Sequence, residues 1–340
     1  MTPRADLGSR IGAWLLADYG LTIDSLEPIV GGLDPEAAVW LAVDDLGRSW
    51  AVKWTRRDTR FGLLLAGALA QSAVVGVPEQ LTSRQGHPWS DRRRGRLSVS
   101  AWVLGREAFE TGLAPAEWEA LGRLLRRVHE EPPPPVDAVG DGPAVRRGIR
   151  RAGARSTARL RRIDRLAAAA GTGEDDDPVV ARLLRAWPGI RARIVALREE
   201  AGRLRRTRTP TARVSCHGDP HLGNVLVDDA GQPWLIDFDD AVTAPREVDL
   251  MLVELGVLFT MPVTDTDRRA FHSGYGAVVL DQDRILRFGS VRAVEDLLQA
   301  VEDLLTGHPS HLPVDLETLI DGVLSEEGLA GRVEARLDRI

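Results

Sequence analysis

The stretch Val214–Asp240 reads VSCHGDPHLGNVLVDDAGQPWLIDFDD and carries most of the information about the fold. Two short apolar runs flank a tight turn at Asp228–Gly231, a pattern that predicts a β-hairpin. Asp219 and Asn224 lie five residues apart in the loop before this hairpin, and Asp237 ends its second apolar run. The sequence therefore gathers three polar side chains on one short loop and the strands beside it.

These residue types in this order suit phosphoryl transfer. In the catalytic loop of kinases an Asp accepts the proton of the attacking hydroxyl, and an Asn five residues later holds a magnesium ion. A second metal-binding Asp follows in an Asp-Phe-Gly element, where this chain has Asp237-Phe238-Asp239. A Gly-Asp pair alone is common in turns, but the ordered combination predicts Asp219 as the base and Asn224 and Asp237 as metal ligands.

Lysine occurs once among the 44 lysine and arginine residues, at Lys53. Because an ammonium is a compact point charge and a guanidinium a broad planar fork, a lone lysine indicates a position where arginine does not serve. Lys53 lies in the predicted strand Ala51–Trp54, as does the phosphate-binding lysine of kinases. Upstream, Gly31 and Gly32 are candidate nucleotide contacts through their backbone N–H groups, with a plain hairpin turn as the alternative.

Hydrophobic periodicity divides the chain into a β-rich first part and a helical second part. The predicted strands are 23–30, 37–43, 49–54, 79–83 and 96–104, and the predicted helices are 5–18, 58–73, 115–130, 143–169 and 178–205. The chain from Glu247 to about Arg339 is also predicted to be helical.

The motifs resemble a known family. His217-Gly218-Asp219-Pro220-His221 with Asn224, followed by Ile236–Asp239, is similar to the motif of the aminoglycoside phosphotransferase and choline kinase superfamily. Flanking segments resemble its spectinomycin phosphotransferase branch more than its kanamycin kinase branch: Gly112-Leu113, Trp118, Leu121-Gly122, Val128-His129, Ala244–Met251 and Phe271–Gly276. The resemblance extends from about residue 20 to about residue 305.

This resemblance implies an α+β, bilobal, protein-kinase-like fold. Residues 1–104 would form a small β-rich nucleotide-binding lobe, and residues 105–340 a larger helical lobe with the catalytic loop and the substrate site. Lys53 would pair with the phosphates of ATP or GTP beside Mg²⁺, and Ala101 and Val103, in the segment equivalent to the interlobe hinge, would contact the nucleotide. Asp239 and Asp240 either meet a cationic substrate, tune the metal, or are solvated turn residues.

Bulk properties favour a small-molecule substrate. A net charge of −6 attracts cations and opposes binding to nucleic acid, and the arginines of the long helices alternate with acidic residues and leucine, as on solvated helix faces. No apolar run predicts a membrane span or a signal peptide. Cys216 is the single cysteine, so no internal disulfide forms and a cytoplasmic location is expected. We expect a monomer or a weak homodimer.

One departure from the kinase pattern concerns the helix after Lys53. Kinases carry there a Glu that pairs with the lysine, whereas Phe61–Val77 contains no acidic residue. The sequence leaves open which group orients Lys53. The leading hypothesis is a kinase acting on a hydroxyl of an antibiotic such as an aminoglycoside or aminocyclitol, and thereby conferring resistance. The alternatives are a metabolic kinase for a sugar or amino alcohol, a non-catalytic protein on the same fold, and a nucleic-acid-binding helical module.

Overall fold

A five-stranded antiparallel sheet organises the first part of the chain. Its strands are β1 (Ile23–Ile29), β2 (Ala37–Asp44), β3 (Ser49–Thr55), β4 (Ser90–Arg92) and β5 (Gly95–Ala101), in the spatial order β1-β2-β3-β5-β4. The computed structural model describes residues 3–29, 36–72, 74–92, 95–135, 148–170, 177–206, 210–258, 261–307 and 316–339. Gly31 and Gly32 lie outside the described residues, so their predicted nucleotide contacts stay predictions.

The sheet is closed on one side by the N-terminal helix α1 (Pro3–Tyr19). Ile11 and Leu15 of this helix are fully buried in one cluster with Trp40 of β2 and Val52 of β3. Burying such side chains contributes roughly 1.5–3 kcal/mol each, so the helix stabilises the middle of the sheet. The strand that carries Lys53 is central, because β3 pairs with β2 on one side and β5 on the other.

The first of two compact units contains this sheet and the predicted hairpin between Asn224 and Asp237. It comprises Met1–Val145, Val214–Ala244 and Ala270–Gly276. Its further elements are α2 (Arg60–Gln71), β6 (Arg106–Glu107), α3 (Ala108–Thr111), α4 (Pro115–Glu130), β7 (Val214–Cys216), β8 (Val225–Val227), β9 (Pro233–Leu235) and β10 (Val242–Ala244). The predicted hairpin is confirmed, since β8 pairs antiparallel with β9 from Val225 opposite Leu235 to Val227 opposite Pro233.

The second unit comprises Arg146–Arg213, Pro245–Arg269 and Ala277–Ile340. The remaining elements of the chain are α5 (Gly148–Ala170), α6 (Pro178–Arg206), α7 (Glu247–Leu255), β11 (Val257–Leu258), β12 (Met261–Pro262), α8 (Asp265–Tyr275), α9 (Gln282–Leu305), α10 (Leu316–Leu324) and α11 (Leu329–Leu337). Helix α9 is the centre of this unit, because α5, α6, α7, α10 and α11 all pack against it.

The arginine-rich helices form ion pairs within the second unit, as their interleaved charges indicate. Arg159 and Arg162 both pair with Glu302 of α9, and Arg193 of α6 pairs with Glu334 at 2.6 Å. Among the described residues no helix is long and apolar enough to cross a membrane.

Two strand predictions in the first unit differ from the structure. The predicted strand 79–83 is reduced to a single bridge between Gln80 and Ser100, bounded by the hydrogen bonds from the N–H of Leu81 to Val99 O and from the N–H of Ala101 to Glu79 O. Pro78 has no N–H to extend the pairing. The edge strand Ser90–Arg92 takes the place beside β5 instead, and β5 ends at Ala101 rather than continuing to 104.

The turn between β2 and β3 is held by a buried carboxylate. The side chain of Asp44 accepts hydrogen bonds from the N–H groups of Leu46 (3.0 Å) and Arg48 (2.8 Å) and from Trp50 Nε1 (3.0 Å). Burial by itself opposes ionisation, but these hydrogen bonds outweigh it and lower the pKa of Asp44 from 3.8 to about 2. The ionised form therefore fixes the hairpin that leads into β3.

We predict that Asp44→Asn lowers the free energy of unfolding at pH 7. A depressed pKa contributes stability above the unfolded value of 3.8 that is lost as the pH falls through about 2, so the parent and the variant should converge over that range. Urea unfolding as a function of pH measures this difference. The control is Asp45→Asn at the exposed neighbouring position; an equal loss in both variants, or a difference independent of pH, contradicts the prediction.

Candidate active site

A buried histidine links the loop of Asp219 to the residue before Asp237. The imidazole of His217 has no solvent exposure. Its Nδ1 accepts a hydrogen bond from the N–H of Asp219 at 3.3 Å, and its Nε2 lies 3.0 Å from the carbonyl oxygen of Ile236. Since the carbonyl only accepts, Nε2 carries the proton. His217 thus holds the loop of Asp219 against the residue that follows β9.

Asn224 is oriented by its neighbours. Its Nδ2 donates to the carbonyl oxygen of Asp219 at 2.9 Å, and its backbone carbonyl accepts from the N–H of Ile236 at 3.0 Å. With Nδ2 committed in this way, the amide oxygen Oδ1 faces the other side as an acceptor. The hydrogen bond from Ile236 continues the hairpin register and places Asn224 across from Ile236, the residue before Asp237.

His221 has a contact that the sequence reasoning missed. Its Nε2 lies 3.5 Å from Oδ2 of Asp219, while its Nδ1 accepts from the N–H of Gly223 at 3.0 Å. The first distance is longer than an ordinary hydrogen bond. The sequence signal was present, because a single residue separates this histidine from the candidate base in a tight loop, but spacing alone does not reveal which side chains converge.

Asp237 has an unusual backbone conformation. Among the described non-glycine residues it alone has a positive φ, at 60°. A left-handed backbone is uncommon for such residues, costs of order 1–3 kcal/mol, and is frequent at functional sites. The conformation directs the carboxylate back across the chain, where its Oδ1 accepts the N–H of Asp239 at 3.3 Å.

Lys53 lies between two carboxylates. Its Nζ is 2.8 Å from both oxygens of Asp237 and 2.9 Å from Oδ2 of Asp239. Its side chain is 18% exposed, that of Asp237 is 41% exposed and that of Asp239 is 10% exposed. The chain's one lysine therefore meets the end of the hairpin, 184 residues further along the sequence.

The ionisation of these three groups is coupled. Burial opposes the charge on Lys53, but the adjacent carboxylates outweigh it and raise the pKa of the ammonium. Burial also opposes ionisation of Asp237, where Lys53 prevails and lowers the pKa. Burial, reinforced by the charge of Asp237, raises the pKa of Asp239 to about 6. One ammonium thus pairs with two carboxylates. The pKa of the more buried one, Asp239, is raised, whereas the pKa of Asp237 is lowered.

Helix α2 packs against the end of the hairpin through a glycine. It contains no acidic residue, and it packs on the 3₁₀ turn Phe238–Asp240 through Gly62. A Cβ atom at Gly62 would lie 1.8 Å from the carbonyl oxygen of Phe238. Backbone therefore meets backbone at this contact. The sequence left open which group orients Lys53, and in the structure its carboxylate partners, Asp237 and Asp239, come from the hairpin end.

Asp240 also faces a basic residue. It forms an ion pair with Arg57, which follows β3. Asp239 and Asp240, the two carboxylates considered for substrate binding, thus pair with Lys53 and Arg57. The first pair joins the end of the hairpin to β3, and the second joins it to the segment between β3 and α2.

The backbone after β5 offers limited contacts to a nucleotide. The N–H of Ala101 donates to Glu79 O at 2.9 Å, and the N–H of Trp102 donates to Ser49 O at 3.0 Å. Of the two backbone groups of Ala101, the N–H is therefore occupied and the carbonyl is left for a ligand. No hydrogen bond to the N–H of Val103 occurs within the described part of the chain. The nucleotide contacts expected at Ala101 and Val103 stay predictions.

Comparison with known proteins identifies the family of this chain. Residues 25–287 match the family described as the phosphotransferase enzyme family. The chain belongs to this family. Membership confirms the resemblance derived from the motifs and the expectation of a phosphotransferase. No curated protein matches the chain.

Solved structures share the fold over nearly the whole chain. Spectinomycin phosphotransferase APH(9)-Ia, in complex with ADP and spectinomycin, is 20% identical with a TM-score of 0.76, covering 96% of this chain and 97% of that one. Amicoumacin kinase hAmiN with AMP-PNP and Ca²⁺ is 15% identical, with a TM-score of 0.57 and coverage of 94% and 100%. Macrolide 2′-phosphotransferase MphH from Brachybacterium faecium is 18% identical, with a TM-score of 0.51 and coverage of 94% and 98%. These likenesses confirm the predicted α+β, kinase-like fold.

The close approach of α2 yields a stability prediction. Gly62→Ala should lower the free energy of unfolding by about 1–3 kcal/mol, because the added methyl group collides with backbone that cannot rotate away. Gly67→Ala in the same helix is the matched control: a Cβ there has no atom within 4 Å, so the variant should be stabilised by up to about 1 kcal/mol. Chemical denaturation of both variants measures the difference, and equal effects would refute the packing argument.

Proposed function

We propose that this phosphotransferase moves the γ-phosphoryl group of ATP or GTP to a hydroxyl of a small cationic antibiotic. One observation carries the proposal: Lys53, on the central strand, pairs with Asp237 at the end of the hairpin whose preceding loop holds Asp219 and Asn224. A phosphate-binding cation, two oxygen ligands and a base then belong to one site. Phosphoryl transfer requires positioning and charge neutralisation of this kind.

The donor set fits a hard divalent cation. The amide oxygen of Asn224 points away from its own hydrogen-bonded Nδ2, and the left-handed backbone of Asp237 presents a carboxylate that is 41% exposed. Oxygen donors of this type suit Mg²⁺, which takes few protein ligands and completes its shell with water and substrate phosphates. When bound by Asn224 and Asp237, Mg²⁺ would neutralise charge on the phosphates.

The remaining residues act on the reactants. Lys53 holds the α- and β-phosphates by its ammonium protons. Asp219 orients the acceptor hydroxyl and takes its proton as the oxygen forms a bond to the γ-phosphorus and the bond to the β–γ bridging oxygen breaks. The nucleoside diphosphate leaves with that bond's electron pair. His217 holds the loop of Asp219 in place, and His221 lies beside the carboxylate of Asp219.

Two features support an antibiotic as acceptor. The net charge of −6 favours a cationic substrate, and APH(9)-Ia, with a TM-score of 0.76 to this chain, binds spectinomycin. Phosphorylation in the cell would confer resistance. The alternative of a non-catalytic protein was suggested by the absence of a glutamate from helix α2. Lys53 nevertheless has two carboxylate partners, Asp237 and Asp239, which favours a kinase.

A substrate panel tests this function. We expect nucleotide consumption with an aminocyclitol or aminoglycoside, and a product heavier by one phosphoryl group on mass analysis; the panel includes ATP, GTP, sugars and amino alcohols. Asp219→Asn should lower kcat by roughly 10²–10⁴, the usual contribution of a positioned base, while Asp229→Asn on the exposed hairpin turn should not. Turnover of a sugar or amino alcohol alone would favour a metabolic kinase, and unchanged turnover in Asp219→Asn would refute the assigned base.

Metal dependence provides a second test. Chelation should abolish turnover and Mg²⁺ should restore it, and Asn224→Ala should raise the Mg²⁺ concentration for half-maximal rate by about 10–100-fold. The control is nucleotide binding in chelator, where Asn224→Ala should resemble the parent because Lys53 is intact. An unchanged metal requirement would remove Asn224 from the metal site.

A further inference from the structure

The site contains one ammonium and two carboxylates that differ in their surroundings. The side chain of Asp237 is 41% exposed to solvent. Asp239 is 10% exposed and lies against Lys53, with Oδ2 at 2.9 Å from Nζ. A carboxylate this enclosed is poorly placed to meet a substrate from solvent. Its surroundings are the lysine, the carboxylate of Asp237 and the charge of Arg57.

We propose that Asp239 is the positioning residue for Lys53 and takes the role that a helix glutamate has in other kinases. The inference rests on the proposed function and extends it. Asp237 has two roles in the proposed site, as partner of Lys53 and as metal ligand. A carboxylate oxygen engaged by a divalent cation is no longer free to hold the ammonium in the same way. Asp239 keeps a fixed charge beside Nζ when Asp237 serves the metal.

The packing of helix α2 explains why the partner comes from the hairpin end. Gly62 brings the helix so close to Phe238 that even a methyl group would collide with the carbonyl oxygen. The turn Phe238–Asp240 packs against this helix, and Asp239 is the residue of the turn whose carboxylate lies 2.9 Å from Nζ of Lys53. A shorter acid on the adjacent turn therefore replaces a longer acid on the helix.

Two further contacts hold Asp239 in place. Its N–H donates to Oδ1 of Asp237 at 3.3 Å, which sets the geometry between the two carboxylates. The next residue, Asp240, pairs with Arg57. Lys53 and Arg57 are four residues apart and bind successive carboxylates, so the turn is tied to the β3–α2 segment at two points. Only the Lys53 contact touches a group that would bind phosphate.

The lone lysine permits a direct test. Protein grown with ¹³C-labelled lysine and carrying a lysine-free tag gives one lysine side-chain resonance, that of Lys53. In nucleotide-free, chelated protein, Asp239→Asn should shift this resonance and lower the order parameter of its Cε, because one of its two carboxylate partners is lost. Asp240→Asn, the same chemical change one residue on, should leave the resonance in place. Asp239→Glu should retain much of the order.

Nucleotide binding gives a second readout. Asp239→Asn should weaken ADP binding roughly tenfold, the size of one charge-assisted hydrogen bond, and raise the KM for the nucleotide more than the KM for the acceptor. Its Mg²⁺ requirement should match that of the parent, unlike the requirement of Asn224→Ala.

Different failures point to different conclusions. An unchanged lysine resonance in Asp239→Asn would overturn the inference, because Asp237 alone would then order Lys53. A raised Mg²⁺ requirement together with unchanged ADP binding in chelator would also overturn it, by making Asp239 a metal ligand. If the resonance shifts as expected but no compound of the panel is phosphorylated, the positioning role stands and the proposed substrate class fails.

Discussion

The contact between Lys53 and the carboxylates of Asp237 and Asp239 is the constraint on which the site depends. It joins the central strand of the sheet to the end of a hairpin 184 residues later in the chain. Three fixed elements surround the contact: β3 held between β2 and β5, His217 bridging the loop of Asp219 to Ile236, and Asp237 in a left-handed conformation.

The charges in this contact are unbalanced. One ammonium faces two carboxylates, and the pKa of Asp239 rises to about 6 because its burial opposes ionisation and the adjacent Asp237 is already ionised. In an ion pair with only a structural role, an uncompensated second carboxylate would cost desolvation free energy. The arrangement would suit the proposed function, in which a divalent cation would supply the missing positive charge and the lysine would gain phosphate oxygens. Perturbed carboxylates of this kind are frequent at functional sites.

Much of the fold followed from local patterns. The hairpin after Asn224, the strand of Lys53 and the helix Pro115–Glu130 were predicted because each depends on residues adjacent in sequence: turn chemistry, apolar alternation and a proline-rich stop. The segment 79–83 was wrongly predicted as a strand because Pro78 limits its pairing and Ser90–Arg92 occupies the edge of the sheet instead. Competition between segments for one sheet edge is a tertiary effect that periodicity does not report.

The sequence by itself determined the chemistry. The order and spacing of Asp219, Asn224 and Asp237, with a single lysine on a predicted strand, were sufficient to indicate phosphoryl transfer, because the first three lie on one continuous loop and hairpin. Only the tertiary structure decided which groups surround Lys53. A glycine on α2 and an acid two residues beyond Asp237 have no informative spacing from Lys53, and only the close packing of helix on turn removes one possible partner and supplies another.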